Sequence, residues 1–279
     1  ALAYRFSSRE GVFSSWGGFL RSDAFMNSDI VHLHNAHGYY MPQWALTEIL
    51  KKPCLWTLHD YWLLTGRCAM PEACTGFATG CDPCPYKSKY PATWLDRAAS
   101  DFRFRRRLLG SKILFVSPSE FTRTQFSNDC HSIRTICNPV QMPDQMPTRA
   151  EAKRRLGLPE GKTIVLFPAR KLEAQRKGLQ TFLKALDVNR NVDHLYPVFV
   201  GEQGSLQLFG PGLVDRPAMT DYLCASDIVV VPSTMETFGL IYAEAVIAGA
   251  SVIAADIPIA REVLGRTGRF HPPYDHEAL

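Results

Sequence analysis

The sequence lacks several features that would assign it to a broad class at once. It contains no apolar run long enough to cross a bilayer and no N-terminal pattern of basic residues, apolar run and small-residue cleavage site. Its formal net charge is only +4, and apart from residues 103–107 its basic residues are dispersed. These absences argue against a membrane-spanning helix and against nucleic-acid binding, and they predict a soluble, cytoplasmic protein.

What the sequence does have is enough apolar material for two cores. It is 279 residues long and 46% hydrophobic, and short aliphatic runs alternate with longer helical patterns, as in parallel sheets built from strand–helix–strand units. The predicted strands are 29–34, 54–58, 113–116, 135–137, 163–168, 197–200, 227–231 and 251–254. The predicted helices are 41–51, 92–110, 119–126, 149–156, 177–187, 218–225 and 238–248.

A proline-rich stretch divides these units. Residues 138–147 carry three prolines and no periodicity, which is typical of a linker. We therefore expect two Rossmann-like domains, at residues 1–140 and 141–279. The chain does not begin with Met, shows no glycine-rich turn after a first strand, and stops where a helical pattern starts. We accordingly expect the N-terminal domain to be incomplete and the end of the C-terminal domain to be missing.

The densest motif lies where the predicted strand 227–231 gives way to the helix 238–248. Ligands of open α/β sheets bind at such carboxyl ends of strands, and the free N–H groups of a helix start favour a diphosphate or sugar hydroxyls. Glu236 precedes the predicted helix and Glu244 lies about two turns into it, so both carboxylates are available to accept hydrogen bonds from hydroxyls. The alternative is that Glu236 is a helix-capping acid and that Glu244 occupies a solvated position of the helix.

The residues around these two glutamates carry a family resemblance. Residues 232–245 (Pro-Ser-Thr-Met-Glu-Thr-Phe-Gly-Leu-Ile-Tyr-Ala-Glu-Ala), 249–254 and 261–263 resemble the E-x7-E region of family 4 glycosyltransferases. Upstream, residues 167–171 and 176–178 resemble the strand, arginine and Lys-Gly segment of the same family. The resemblance implies a retaining enzyme of the GT-B fold, which has two Rossmann-like domains with a cleft between them.

The resemblance also implies roles for particular residues. Glu236 would contact the transferred sugar, and Glu244 would hold the donor ribose. Backbone of the segment after Glu236 would contact the sugar or phosphate; its residues are Thr237, Phe238, Gly239 and Leu240. Arg170 and Lys177 would neutralise the leaving diphosphate, as fixed cations must where no catalytic metal is expected. Read alone, these two would be ordinary solvated cations.

Histidines follow two strands of the N-terminal half. At the end of the first strand, alternation sends His32 and His34 to the same face and His37 into the next turn. Their spacing suggests a metal site, but no fourth ligand is apparent. His59 follows the second strand, in Thr-Leu-His-Asp. The region resembles a bacterial exopolysaccharide branch of family 4 that includes colanic-acid-type enzymes, and this resemblance implies that His59 contacts the transferred sugar at the reaction centre. A structural histidine is the alternative.

An irregular, cysteine-rich loop at residues 65–91 interrupts the α/β pattern. Its cysteines, which end in a Cys-x2-Cys knuckle, are Cys68, Cys74, Cys81 and Cys84. A structural four-thiolate zinc, free thiols and disulfides all stay open at this point, although a reducing cytosol disfavours disulfides.

The sequence as a whole predicts a glycosyltransferase for polysaccharide biosynthesis. It would move a sugar from a nucleotide-diphosphate-sugar to a saccharide or lipid-linked saccharide. A nucleotide-sugar epimerase of the same fold and a truncated, inactive binding module are the alternatives. The basic, partly apolar helix at residues 102–109 is either a solvated face or a peripheral contact with the inner face of the cell membrane.

Overall fold

The computed structural model describes residues 6, 7, 9, 15–88 and 92–279. The chain divides into two compact units, Ala1–Cys137 and Asn138–Leu279, three residues from the boundary that the proline-rich stretch predicts. Part of the predicted N-terminal domain and the last three residues of the cysteine-rich loop lie outside the described residues.

The N-terminal unit is built on a parallel sheet with the strand order β1-β2-β3-β4. Its registers pair Leu33 with Trp56 and Trp56 with Phe115, so large apolar side chains stand side by side in its centre. The strands are β1 (Val31–Leu33), β2 (Cys54–Thr57), β3 (Leu114–Ser117) and β4 (Ser132–Thr135); the helices are α1 (Trp16–Phe19), α2 (Asp23–Met26), α3 (Gln43–Ile49), α4 (Ala98–Leu109) and α5 (Glu120–Phe126).

The C-terminal unit is built on a second parallel sheet, with the order β6-β5-β7-β8-β9. Its core includes Phe167, Phe182 and Phe199, whose ring centroids lie 5.5–6.0 Å apart. The strands are β5 (Thr163–Lys171), β6 (Leu195–Glu202), β7 (Ile228–Val231), β8 (Ser251–Ala255) and β9 (Gly268–His271); the helices are α6 (Arg149–Arg155), α7 (Leu179–Val188), α8 (Arg216–Ala225), α9 (Leu240–Ile247) and α10 (Pro258–Leu264).

The strand order of this second sheet creates a crevice beside β5. The chain leaves β5 for β6 on one side, and β7 pairs with β5 on the other. Connections that leave neighbouring parallel strands in opposite directions open a space at the carboxyl ends, which is where such sheets bind ligands. The segments after β5 and β7 therefore border this crevice.

Several elements depart from their predicted bounds. The predicted strand 135–137 is β4, three residues earlier, and β9 was not predicted. The predicted helix 92–110 begins only at Ala98, because the Asp96 carboxylate accepts hydrogen bonds from the backbone N–H groups of Cys84 and Ala98. The predicted helix 177–187 begins at Leu179, because Gly178 adopts a left-handed conformation with φ of 73°.

Two arginines of the basic run at residues 103–107 make contacts within the N-terminal unit. Arg105 is buried and its guanidinium donates to the carbonyl oxygens of Trp62 and Thr65. Arg106 forms an ion pair with Asp129. Over the described ranges, no helix is both long and apolar enough to cross a membrane.

Candidate functional site

The carboxyl ends of β5 and β7 bring one carboxylate and two cations together. Glu236 Oε1 lies 2.5 Å from Lys177 Nζ and 3.4 Å from Arg176 Nη1. Glu236 follows β7 and is buried, whereas the two cations follow β5. The structure therefore joins the predicted Glu236 and Lys177, and adds Arg176, for which the sequence suggested no role although it directly precedes Lys177.

This cluster carries a net positive charge in a poorly hydrated place. Burial lowers the pKa of Lys177, while the Glu236 carboxylate opposes that shift. One carboxylate between two cations leaves an excess of one positive charge. Because unpaired buried charge is costly, such a site favours an additional anion.

The two loops of the cluster are held together through their backbones. The Thr234 N–H donates to the Arg176 carbonyl oxygen at 2.8 Å. A Cβ atom at Gly178 would lie only 2.3 Å from the carbonyl oxygen of Pro232. Glycine is therefore required here by contact with the neighbouring loop as well as by its positive φ.

Helix α9 begins beside this cluster and leaves its first N–H groups without helical partners. Its N-cap is Gly239, in a left-handed conformation with φ of 74°. Thr237 and Phe238 are buried, while Leu240 is exposed. The helix begins two residues later than predicted, so Glu244 lies about one turn into it instead of two.

Glu244 belongs to a different charge pair. Its carboxylate is buried, and Oε1 lies 3.0 Å from Nη2 of Arg216 at the start of α8, without hydrogen-bond geometry. Arg216 also donates to the Gln141 carbonyl oxygen at 2.6 Å. The two glutamates of the sequence motif thus contact different cations, and no local pattern could have indicated Arg216.

Arg170 stands apart from the other predicted cation. Its side chain is 84% exposed, and its Nε lies 3.8 Å from Glu202. The structure does not bring Arg170 into contact with Glu236.

The histidines of the N-terminal unit meet at the carboxyl ends of β1 and β2. His34 Nδ1 lies 2.8 Å from His59 Nε2, and His32 Nε2 lies 2.8 Å from Thr57 Oγ1. Burial, followed by the neighbouring His34, lowers the pKa of His59, and Asp60 only partly opposes this. A ring nitrogen of one imidazole must accept from the other, so His59 and His34 cannot both be fully protonated in this arrangement.

A second pair lies beside them. His37 Nε2 lies 2.6 Å from Asp60 Oδ2, and the His37 ring stacks on Trp62 with centroids 5.4 Å apart. Asp60 Oδ1 also accepts from the Trp62 N–H. The sequence pattern suggested a role for His37 only as a metal ligand. Within the described ranges, no three histidine, cysteine or acidic side chains are arranged to hold a metal ion.

The four cysteines of the loop are free and lie near one another. Burial, and after it the proximity of Cys84, Cys74 and Cys81, raises the pKa of the Cys68 thiol to about 11, although Arg67 opposes the shift. The Gly66 N–H donates to Cys81 Sγ at 3.2 Å.

Comparison with known sequences points to one family. Residues 162–279 match the family model described as glycosyl transferases group 1. The putative colanic acid biosynthesis glycosyl transferase WcaC of Escherichia coli (strain K12) is 27% identical over 86% of this chain, which spans 62% of that protein. A phosphatidyl-myo-inositol mannosyltransferase of Mycobacterium tuberculosis (strain H37Rv) is 33% identical over 44% of the chain and 36% of its own length. The chain thus spans less than two thirds of these relatives.

Solved structures share the fold. Sucrose-phosphate synthase from Thermosynechococcus elongatus has a TM-score of 0.66 at 17% identity, covering 95% of this chain and 65% of its own. Anabaena Alr3699/HepE, solved with UDP and glucose, has a TM-score of 0.64 at 16% identity, covering 94% and 68%. The chain has the GT-B fold, and most of its C-terminal unit matches the glycosyl transferases group 1 family model.

Proposed function

We propose that the chain transfers a sugar from a nucleotide-diphosphate-sugar to a saccharide or lipid-linked saccharide acceptor, in polysaccharide biosynthesis. The observation that carries this proposal is the cluster of Glu236, Lys177 and Arg176 at the crevice beside β5. A diphosphate supplies the anion that its excess positive charge favours, and a sugar supplies hydroxyls for its carboxylate. The UDP and glucose bound to the Anabaena neighbour are of this chemical class.

The proposed donor roles follow from charge and position. Lys177 and Arg176 bind the diphosphate of the donor, because fixed cations stabilise the negative charge that develops as the diphosphate leaves. Arg170, exposed in this structure, is kept as a further candidate for the same role. Glu236 accepts from a hydroxyl of the transferred sugar. Glu244 accepts from the ribose hydroxyls, in place of its contact with Arg216.

Backbone N–H groups at the start of α9 complete the donor site. Thr237, Phe238, Gly239 and Leu240 carry these groups, and we propose that they contact the sugar or the phosphates. Gly239 is suited to this because a residue without a side chain lets a ligand approach its backbone closely.

The proposed reaction retains the anomeric configuration. The acceptor hydroxyl oxygen bonds to the anomeric carbon while the bond from that carbon to the diphosphate oxygen breaks. The hydroxyl proton passes to the departing diphosphate, so no protein carboxylate has to act as base. His59 contacts the transferred sugar through a neutral imidazole, in keeping with its lowered pKa. The protein's contribution is then positioning and charge stabilisation.

Replacement of Glu236 by alanine tests this proposal. We expect nucleotides such as UDP, GDP or ADP, with their sugars, to raise the melting temperature of the wild-type chain, and the matching donor to support transfer. Glu236→Ala should abolish transfer. Asp187→Ala, which removes an exposed carboxylate of α7 that pairs with Arg190, is the matched control and should behave as wild type. Unchanged transfer by Glu236→Ala would refute the assignment, and isomerisation of the donor sugar without acceptor would indicate an epimerase instead.

For the cysteine-rich loop we propose a structural zinc ion held by Cys68, Cys74, Cys81 and Cys84. The support is the electrostatic influence of the other three thiols on Cys68 and the N–H donated to Cys81 Sγ; because no three of these cysteines are arranged to hold an ion within the described ranges, the loop would have to close around the zinc. Arg67 of the loop and Arg105 of α4, both buried, would balance the two negative charges of a zinc tetrathiolate. Elemental analysis should find one zinc per chain in the wild type and in Cys137→Ser, and none in Cys81→Ser; a metal-free wild type would contradict the proposal.

A further inference from the structure

A separate cavity of about 270 Å³ lies in the N-terminal unit, between the starts of α3 and α4. Helix α3 follows β1, and α4 leads into β3. Because helices of such units run antiparallel to their strands, both helix starts lie at the carboxyl edge of the sheet, the edge that carries His59. The cavity is therefore on the ligand-binding side of its own unit.

The walls of this cavity combine flat apolar rings with planar polar groups. Trp44 and Trp62 line it, together with Gln43, Arg97 and Asp101. An indole ring offers a large apolar face to the C–H groups of a sugar ring, while amide, carboxylate and guanidinium groups pair with its hydroxyls. A pocket for a drug-sized molecule usually measures about 300 Å³ or more, so this one suits a single ring.

Trp44 is exposed although it is one of the largest apolar side chains. Its relative exposure is 52%, whereas Trp62 is buried. An exposed tryptophan in the wall of this cavity provides a surface on which a ring can stack without rearrangement of the core.

Two of the polar groups, Gln43 and Asp101, are held together before any ligand arrives. The Gln43 amide donates one hydrogen to Asp101 Oδ1 at 2.9 Å, which leaves its second N–H and its carbonyl oxygen for other partners. Arg97 Nε is buried and has no hydrogen-bond partner within the described part of the chain. Burial raises the pKa of the Asp101 carboxyl, with Arg105 as the strongest opposing influence.

Trp62 links the cavity to the histidines. The Arg105 guanidinium carbon lies 3.7 Å from the centroid of the Trp62 ring, and the His37 ring stacks on the same indole. His37 in turn pairs with Asp60, the neighbour of His59. Trp62, whose ring these two side chains cover, therefore separates a ring bound in the cavity from the histidine cluster.

We propose that this cavity binds one pyranose ring of the acceptor saccharide, stacked on Trp44 and hydrogen-bonded by Gln43, Asp101 and Arg97. The proposal rests on the proposed function, in which the chain has a saccharide acceptor. It assigns the acceptor to a pocket that lies within the N-terminal unit and does not include the donor residues.

Saturation-transfer NMR on the whole chain tests it without donor. The probes are the methyl glycosides of glucose, galactose, mannose, fucose and glucuronic acid, each at millimolar concentration. At least one should receive saturation from the wild type. Trp44→Ala should reduce that signal at least fivefold, whereas Trp94→Ala, which removes an exposed tryptophan that does not line the cavity, should leave it unchanged. Gln43→Ala should also weaken it.

The inference is overturned if no methyl glycoside receives saturation, or if Trp44→Ala gives the wild-type signal. Nucleotide-induced melting shifts, measured on the same proteins, keep this failure distinct from failure of the proposed function. A nucleotide response without glycoside binding removes the acceptor pocket alone. Trp44-dependent glycoside binding without any nucleotide response removes the transferase proposal and leaves the saccharide pocket.

Discussion

Both units hold polar groups at the carboxyl edge of a parallel sheet, but the groups and their contacts differ. In the C-terminal unit a carboxylate lies between two cations, and all three groups are charged. In the N-terminal unit imidazoles bond to one another and to a hydroxyl, and the pKa values of His32 and His59 are lowered. One edge therefore supplies fixed positive charge, whereas His32 and His59 of the other edge supply neutral donors and acceptors.

This contrast suits a reaction in which charge develops on only one substrate. The diphosphate of a donor becomes more negative as it leaves, so the edge that binds it benefits from permanent cations. A sugar hydroxyl stays neutral until it reacts, and a neutral imidazole can contact it without a large desolvation cost. Changes to the two edges should accordingly have effects of different size and kind.

The largest effect should come from the cation that touches Glu236. Lys177→Ala removes the charge closest to the proposed diphosphate, and we expect kcat/KM for the donor to fall about 100-fold or more. Steady-state transfer kinetics measure it. Lys184→Ala, which removes an exposed lysine of α7, should keep wild-type kinetics; a Lys177→Ala enzyme within a few fold of wild type would contradict the charge-based account.

A smaller effect should separate the two arginines. Arg176 contacts Glu236, whereas Arg170 is exposed and pairs only loosely with Glu202. We expect Arg176→Ala to reduce kcat/KM about tenfold, equivalent to about 1.4 kcal/mol, and Arg170→Ala to reduce it less. The opposite order would return the role to Arg170, as the family resemblance implies.

Backbone contact between the two loops of the donor cluster should appear in stability. Gly178→Ala forces a side chain against the Pro232 carbonyl and into a left-handed conformation, which should cost roughly 1–3 kcal/mol of unfolding free energy. Gly161→Ala, where the space is open and φ is not positive, is the control. Urea unfolding followed by circular dichroism compares the two variants. Equal unfolding free energies would mean that the two loops can move apart at little cost.

The smallest effect should be a pH dependence confined to the N-terminal unit. A histidine with a lowered folded pKa stabilises the fold above its unfolded value of about 6.5 and loses this contribution as the pH falls through the folded pKa. The urea concentration at the unfolding midpoint should thus decrease when the pH is lowered from 7.5 to 5.5. His59→Gln should make this decrease smaller, whereas His131→Gln should leave it unchanged. Tryptophan fluorescence reports it, since the tryptophans of the chain all lie in this unit: Trp16, Trp44, Trp56, Trp62 and Trp94. A pH-independent midpoint would contradict the lowered pKa.

Elements with a local signature could be predicted from the sequence. Strand β5 contains an uninterrupted apolar run at residues 164–169, and the strand–loop–helix transition at Glu236 is marked by Pro232 and Gly239. Strand β9 (Gly-Arg-Phe-His) has no aliphatic run, because it lies at the sheet edge, where pairing with β8 defines it more than composition does.

Contacts across the chain could not be predicted in the same way. The pairing of Glu244 with Arg216 and of His34 with His59 depends on how separate elements pack, and no spacing in the sequence encodes it. For Arg176 a signal was present, its position next to Lys177, but a cation in a basic dipeptide is usually solvated. The exposure of Arg170 also depends on the irregular register at the end of β5.

The backbone bond between Thr234 and Arg176 has a consequence for the exchange of segments between related proteins. Two segments almost sixty residues apart are held together by this bond. Replacing only one of them with a relative's sequence would leave it in contact with a segment from a different protein. Chimeras intended to alter donor choice should therefore exchange residues 170–178 and 232–239 jointly.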